Sequence, residues 1–155
     1  MENEYGSRTT AHAEYRFLPE HQRKLRTLLV DDSADYLTAI RAVLDDDGTV
    51  DVVGCAGNGI EAISAVADLH PELVIMDVQM PRMNGLTAAS LLCRLFPGTK
   101  IVLMSGEDSH KLRLASREAG ADGFVAKSRF GEELACVLQS LQDDTVRYRQ
   151  PMKTT

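Results

Sequence analysis

The chain has 155 residues, 44% of them hydrophobic, and a formal net charge of −6: enough for one domain with its own core and too little for two ordinary ones. The acidic balance, with a pI near 5.2, excludes a nucleic-acid or anionic-membrane surface as its main business, and no apolar run approaches the ~20 residues of a membrane span. Residues 1–20 are polar and carry Glu2, Glu4 and Glu14, unlike a secretory leader, so a cytoplasmic setting is expected.

Residues 1–24 lack hydrophobic periodicity. They read as a flexible N-terminal extension with a short helix near 13–17, in which Tyr15, Phe17 and Leu18 are candidates to dock on the body or on a partner. The body begins at Leu25. Leu28-Leu29-Val30 is a buried strand, followed by Asp31-Asp32-Ser33. Tyr36, Leu37, Ile40, Val43 and Leu44 recur at helical spacing, predicting a helix over 34–45 with Ser33 as its N-cap. Asp45-Asp46-Asp47-Gly48 is assigned to the turn, because three acids at a helix C-terminus oppose its dipole. Val50 to Gly54 is a second strand, and Ile60, Ile63, Val66 and Ala67 mark a second helix.

Leu73-Val74-Ile75-Met76 is a short strand buried on both faces and ended by Asp77. Met80-Pro81 and Asn84-Gly85 mark an irregular loop behind it. Leu86, Ala89, Leu91, Leu92 and Leu95 give a third helix, stopped by Pro97-Gly98. Ile101 to Met104 is a fourth strand ending in Ser105-Gly106, and a helix over 109–119 follows it. Gly123-Phe124-Val125-Ala126 is a fifth strand ending in Lys127. Phe130, Leu134, Val137, Leu138 and Leu141 form one apolar stripe of a fifth helix, and a polar tail runs over 142–155. Cys55, Cys93 and Cys136 read as buried free thiols, and His12, His21, His70 and His110 as surface residues with no metal-ligand spacing.

Five repeats of strand then helix imply an α/β fold with a five-stranded parallel sheet, helices on both faces and right-handed crossovers. A closed eight-fold barrel needs many more residues, so the sheet is open and doubly wound. Its strands then point one way, and their carboxyl ends share one edge. Asp31, Asp32, Asp77, Ser105 and Lys127 stand at those ends, where open α/β sheets bind ligands. Taken singly, Asp31-Asp32 could cap a helix, Asp77 and Ser105 could serve turns, and Lys127 could be solvated. Together they make a site. Unit charges 4 Å apart interact by about 4 kcal/mol at an effective dielectric of about 20, so clustered carboxylates need a counter-charge. An oxygen-only set at an open edge suits Mg²⁺. With a Lys to hold an anion and one carboxylate as in-line nucleophile, the chemistry is that of a phosphoryl acceptor.

The same residues resemble the receiver domains of two-component response regulators. Val30-Asp31-Asp32-Ser33, Asp77 with Met80-Pro81 and Met83-Asn84-Gly85, Met104-Ser105-Gly106 and Gly120 to Lys127 are similar to that family's motifs in order and spacing, and the likeness covers 25–141. The resemblance implies a flavodoxin-like fold with strand order 2-1-3-4-5. It implies Asp77 as phosphoacceptor, Mg²⁺ as cofactor, and Asp31, Asp32, Asp77 and the backbone carbonyl of Gln79 as its ligands. It further implies Lys127 as partner of the phosphoryl group, and Ser105 and Phe124 as switch residues acting on the face of the fourth helix, fifth strand and fifth helix. Two departures stand out. Ser128 follows Lys127 where the family has a cis-proline, and a cis non-proline bond costs about 3 kcal/mol, so that bond is expected trans or strained. Phe124 lacks the hydroxyl of the family's commoner Tyr. Gln79 and Glu107, two residues past Asp77 and Ser105, would flank the path of attacking water.

The implied partners are a histidine kinase or phosphotransfer protein as donor and a downstream protein as target, with no direct nucleic-acid or membrane binding and with room for a phosphorylation-dependent dimer. A stand-alone receiver, active as a catalyst only on its own phosphorylation and dephosphorylation, is the primary expectation. The receiver part of a truncated DNA-binding transcription regulator is the runner-up. A haloacid-dehalogenase-type phosphohydrolase would carry Asp-x-Asp on its first strand, where this chain has Asp-Asp-Ser, and a phosphorylation-independent binding module would not need the acidic set. The basic run His110, Lys111, Arg113 and Arg117 is a candidate partner face.

Overall fold

The computed structural model describes the chain over residues 24–148, with side-chain surroundings through Asp143. Residues 1–23 of the expected extension over 1–24, including its short helix and docking residues, lie outside the described residues, as does the tail beyond Tyr148. Five strands and five helices alternate. They are β1 (Leu25–Val30), α1 (Ala34–Asp47), β2 (Val50–Ala56), α2 (Gly59–Leu69), β3 (Leu73–Asp77), α3 (Gly85–Leu95), β4 (Lys100–Ser105), α4 (His110–Glu118), β5 (Gly123–Ala126) and α5 (Phe130–Tyr148). The strands are all parallel in the order β2-β1-β3-β4-β5, the flavodoxin-like arrangement expected from the sequence.

Alternation along the strands sorts the core into two layers. Leu29, Ile75, Val102, Met104 and Val125 face α1 and α5, where Ile40, Leu44, Leu134 and Leu138 cover them. Leu28, Val30, Val74, Met76, Ile101 and Leu103 face the other way, onto Ala62, Val66, Ala88 and Leu92 of α2 and α3. Burying each large aliphatic side chain contributes about 1.5–3 kcal/mol. Because β3 lies at the centre, all five of its residues are buried, as its unbroken apolar run requires.

The helix starts are capped by side chains. Ser33, Asn58, Asn84 and Ser109 each accept a backbone N–H of the first turn of α1, α2, α3 and α4 respectively. The end of α1 corrects one expectation. Asp45, Asp46 and Asp47 are helical, and the helix stops only at Gly48, whose φ of 73° closes it through a hydrogen bond from its N–H to Leu44 O. All three acids are exposed, so solvent screens their clash with the dipole and the left-handed glycine sets the end. The α5 helix runs past the expected boundary at Leu141, to Tyr148.

The cysteines are a second correction. Cys55 and Cys136 are exposed and Cys93 is half-buried. Cys55 lies on the edge strand β2, whose middle residues are incompletely covered, and Cys136 falls off the stripe that Leu134 and Leu138 press on the sheet. Ile60 and Leu95, read as core-facing helix markers, are also exposed, at 53% and 59%. His70 and His110 are exposed as expected, and His12 and His21 lie outside the described residues. The described residues contain no cis peptide bond, so the Lys127–Ser128 bond is trans and continues into a single 3₁₀ turn over Lys127–Arg129. No helix among the described residues is long and apolar enough to cross a membrane.

Candidate functional site

Strand parity builds the site. Asp31, Asp77 and Lys127 continue the rows of Leu29, Ile75 and Val125, so they emerge at the carboxyl edge on the α1/α5 side. There the Lys127 ammonium joins two carboxylates, with Nζ 2.6 Å from Asp31 Oδ2 and 3.4 Å from Asp77 Oδ2. Asp31 is 1% exposed and Asp77 5%. The other oxygen of Asp31 accepts the Ser33 N–H at 2.8 Å, which ties the strand end to the start of α1. Asp77 accepts the backbone N–H of Gln79. Burial pushes the Asp77 carboxyl above the usual carboxylate range; Lys127 pulls it back and Asp31 adds to the rise.

Asp32 is exposed. It lines an open cleft with Gln79, Met80, Pro81 and Asn84, so the loop after β3 and the end of β1 share one cleft. That loop is fixed by Val78 N–H to Met104 O at 2.9 Å and Gly85 N–H to Val78 O at 2.8 Å. A Cβ on Gly85 would collide with the Asp77 carbonyl oxygen and crowd Val78; the loop closes over the strand end because that position is glycine.

Carboxylate oxygens of Asp31, Asp32 and Asp77 lie within 4.8 Å of one another. A Mg²⁺ ion with ligand distances of about 2.1 Å separates its ligand oxygens by at most about 4.2 Å, so a small inward movement closes this set on the ion. Three carboxylates against one ammonium leave negative charge uncompensated. The donor set therefore fits a hard divalent cation in chemistry and in spacing.

Ser105 and Phe124 stand on the other face. Ser105 continues the row of Ile101 and Leu103, and its buried Oγ accepts the Glu107 N–H at 3.0 Å. The Phe124 ring is 9% exposed, and the Arg113 guanidinium stacks on it 4.8 Å from the ring centre. So the structure brings Asp31, Asp32, Asp77 and Lys127 together and holds Ser105 and Phe124 on the other side of the sheet, Phe124 against Arg113 of α4.

Two arrangements around the site were not read from the sequence. Tyr36, read there as a core position of α1, places its ring 4.3 Å from Lys127 Nζ. Its hydroxyl is buried, and burial together with Asp31 and Asp77 pushes its pKa up to about 12. A tyrosine on the first helical turn after Asp-Asp was the available signal. The second is ionic. Arg113 pairs with Asp108 at 2.6 Å and with Glu133 at 3.5 Å, and Arg129 bonds the same two acids at 3.1 and 3.0 Å. Arg113 thus turns onto Phe124 and α5, whereas His110, Lys111 and Arg117 remain exposed.

The family model for the response regulator receiver domain matches residues 27–139. A protein-glutamate methylesterase/protein-glutamine glutaminase of Geobacter sulfurreducens is 37% identical over 121 residues, which is 77% of this chain and 32% of that protein. The chain thus spans about a third of the length of the curated relatives it matches. Among solved structures, the signal receiver domain of the response regulator NarL from Mycobacterium tuberculosis superposes with a TM-score of 0.69 at 26% identity, covering 78% of this chain and 95% of that one. The response regulator domain of Thermotoga maritima CheB gives 0.70 at 26% identity, covering 77% and 98%.

Proposed function

The chain belongs to the response regulator receiver domains, and on that premise we propose that it accepts a phosphoryl group on Asp77 from a histidine kinase or phosphotransfer protein and passes the signal on by protein contact. The observation that carries this reading is the Lys127 ammonium held between Asp31 and Asp77, 2.6 and 3.4 Å away.

Asp31, Asp32, Asp77 and the backbone carbonyl of Gln79 would hold Mg²⁺, which when bound neutralises charge building on the transferring oxygens. The residues of the chain do the rest. An Asp77 carboxylate oxygen attacks phosphorus in line. The new O–P bond forms as the N–P bond of the donor phosphohistidine breaks, and the imidazole leaves with its electron pair and takes a proton. Lys127 is already at the carboxylate and pairs with a phosphoryl oxygen. Ser105 gives up its bond from Glu107 and donates its hydroxyl to another, drawing in the loop after β4. Gln79 and Glu107 flank the path of the water that later hydrolyses the acyl phosphate. The acyl phosphate carries about −2 of charge where the carboxylate carried −1, which biases the packing of Phe124 and so the α4-β5-α5 face. The catalysis is confined to the chain's own Asp77. The signalling unit is residues 25–141, the setting cytoplasmic, the output a downstream protein, and a phosphorylation-dependent dimer a compatible form.

A second reading is favoured by the one-third coverage of longer relatives named protein-glutamate methylesterase/protein-glutamine glutaminase: the receiver governs an effector joined to it, with a DNA-binding module as the alternative effector. A longer reading frame at the source locus would select this second form.

The test is incubation with Mg²⁺ and acetyl phosphate followed by intact mass. The expected product is a labile adduct of about 80 Da, one phosphoryl group, absent in Asp77→Asn and absent without Mg²⁺. An unmodified mass under those conditions refutes the proposal.

A further inference from the structure

Lys127 has neighbours of two kinds. Asp31 and Asp77 are carboxylates that a divalent cation would claim. A cation bound there takes up their lone pairs and repels the ammonium, so the 2.6 Å bond to Asp31 is the contact most exposed to competition. Tyr36 is different. Its ring centre is 4.3 Å from Nζ, and its face attracts an ammonium through the ring quadrupole while offering the metal no oxygen ligand. The ring is held in place: Ser33 caps the Tyr36 N–H, and the side chain packs against the cluster of Leu29, Ile40 and Ile75. Its hydroxyl is buried with no hydrogen-bond partner among the described residues, so removing that hydroxyl breaks no described bond.

We propose that Tyr36 is a positioning residue for Lys127: its ring face is the seat that keeps the ammonium beside Asp77 when a divalent cation engages Asp31 and Asp77. The inference rests on the phosphoacceptor reading above and deepens it. It assigns the work to the ring and none to the hydroxyl. It also explains how one lysine stays with the acceptor carboxylate while its closest partner is taken over.

The test uses the full chain as wild type, Tyr36→Phe and Tyr36→Leu, each alone and combined with Lys127→Gln. Proton NMR of the Lys127 ε-methylene comes first. Over the ring it resonates upfield of a solvated lysine. That shift is expected in wild type and Tyr36→Phe, to persist at saturating Mg²⁺, and to vanish in Tyr36→Leu. Phosphorylation by acetyl phosphate at saturating Mg²⁺ follows. Tyr36→Phe is expected within about twofold of wild type and Tyr36→Leu about threefold to tenfold slower, with Mg²⁺ affinity changed by less than about twofold in both. In the Lys127→Gln background the Leu substitution adds no further loss, the signature of a shared contact. An upfield shift that collapses when Mg²⁺ is added overturns the proposal. So does a Phe variant as slow as the Leu variant, or an equal loss in both backgrounds. A wild type that takes no phosphoryl group overturns the phosphoacceptor reading instead, and the NMR comparison still decides the seat.

Discussion

The Lys127 ammonium is bonded to Asp31, 96 positions away in the chain, more closely than to Asp77, at 2.6 against 3.4 Å. Lysine and metal therefore draw on the same buried carboxylate. Lys127→Gln is expected to tighten Mg²⁺ binding by about threefold to tenfold, the scale of one unit charge removed from a nearby, partly screened site. Phosphorylation should fall in the same variant. Titration calorimetry with Mg²⁺ and the acetyl phosphate rate check the opposed signs; weaker metal binding would mean that Lys127 is not a competitor.

Gly85 supports the acceptor from behind. Its N–H bonds Val78 O, and a methyl group there would meet the Asp77 carbonyl and Val78 backbone, which cannot yield as a flexible side chain can. Gly85→Ala is expected to destabilise the fold by about 1–3 kcal/mol, read as a lower urea midpoint. It should also slow phosphorylation, because the loop that presents Gln79 starts at the displaced strand end.

Glu133 covers the outer edge of the sheet at β5, where Ala126 is buried. Its Oε2 accepts the Ala126 N–H of β5 at 2.7 Å while its carboxylate pairs with Arg113 and Arg129. The ion pairs are half-exposed and contribute little, about 0–1 kcal/mol each; the edge N–H is the larger stake. Glu133→Ala is expected to cost about 1–3 kcal/mol and Glu133→Gln, which keeps an acceptor, about half of that. Equal losses in urea melts would show that charge rather than the hydrogen bond matters.

What the sequence made legible follows from periodicity and punctuation. The apolar runs gave every strand, and the chemistry at their ends gave Asp31, Asp32, Asp77 and Lys127 as one cluster, because a parallel sheet leaves those residues no other place. Pair geometry was out of reach. Nothing in the spacing told that Lys127 would prefer Asp31 over Asp77, or that the Tyr36 ring would lie against the ammonium. Arg113 read as one of four basic residues on a helix; its turn onto Phe124 depends on Asp108 and Glu133, which are brought there by the fold. The cysteines failed for a related reason. Hydrophobic surroundings in sequence do not fix which side of an edge strand or helix faces out, and Cys55 and Cys136 face out. The three acids at the end of α1 were misplaced because dipole opposition, a few tenths of a kcal/mol at an exposed site, is weaker than the stop imposed by Gly48.

Asp77 should trade stability for reactivity. Its carboxyl is raised above the ordinary range, first by burial, with Lys127 only partly offsetting the rise. A carboxyl whose folded pKa exceeds its unfolded value favours the folded state fully below the unfolded pKa, and that contribution is lost as pH rises through the folded pKa. At neutral pH the ionised Asp77 therefore burdens the metal-free fold. Asp77→Asn removes the charge and keeps the shape, while Lys127 retains Asp31. In metal-free buffer at pH 7 the variant is expected to melt a few degrees higher than wild type, and the gap should close as pH falls through the folded Asp77 pKa. Mg²⁺ should raise the wild-type Tm more than that of the variant, since it binds the folded state and supplies the missing counter-charge. Calorimetric melts across pH, with and without Mg²⁺, measure all three effects. A variant that melts lower than wild type at pH 7 without metal would show that the Lys127–Asp77 attraction outweighs the burial of Asp77.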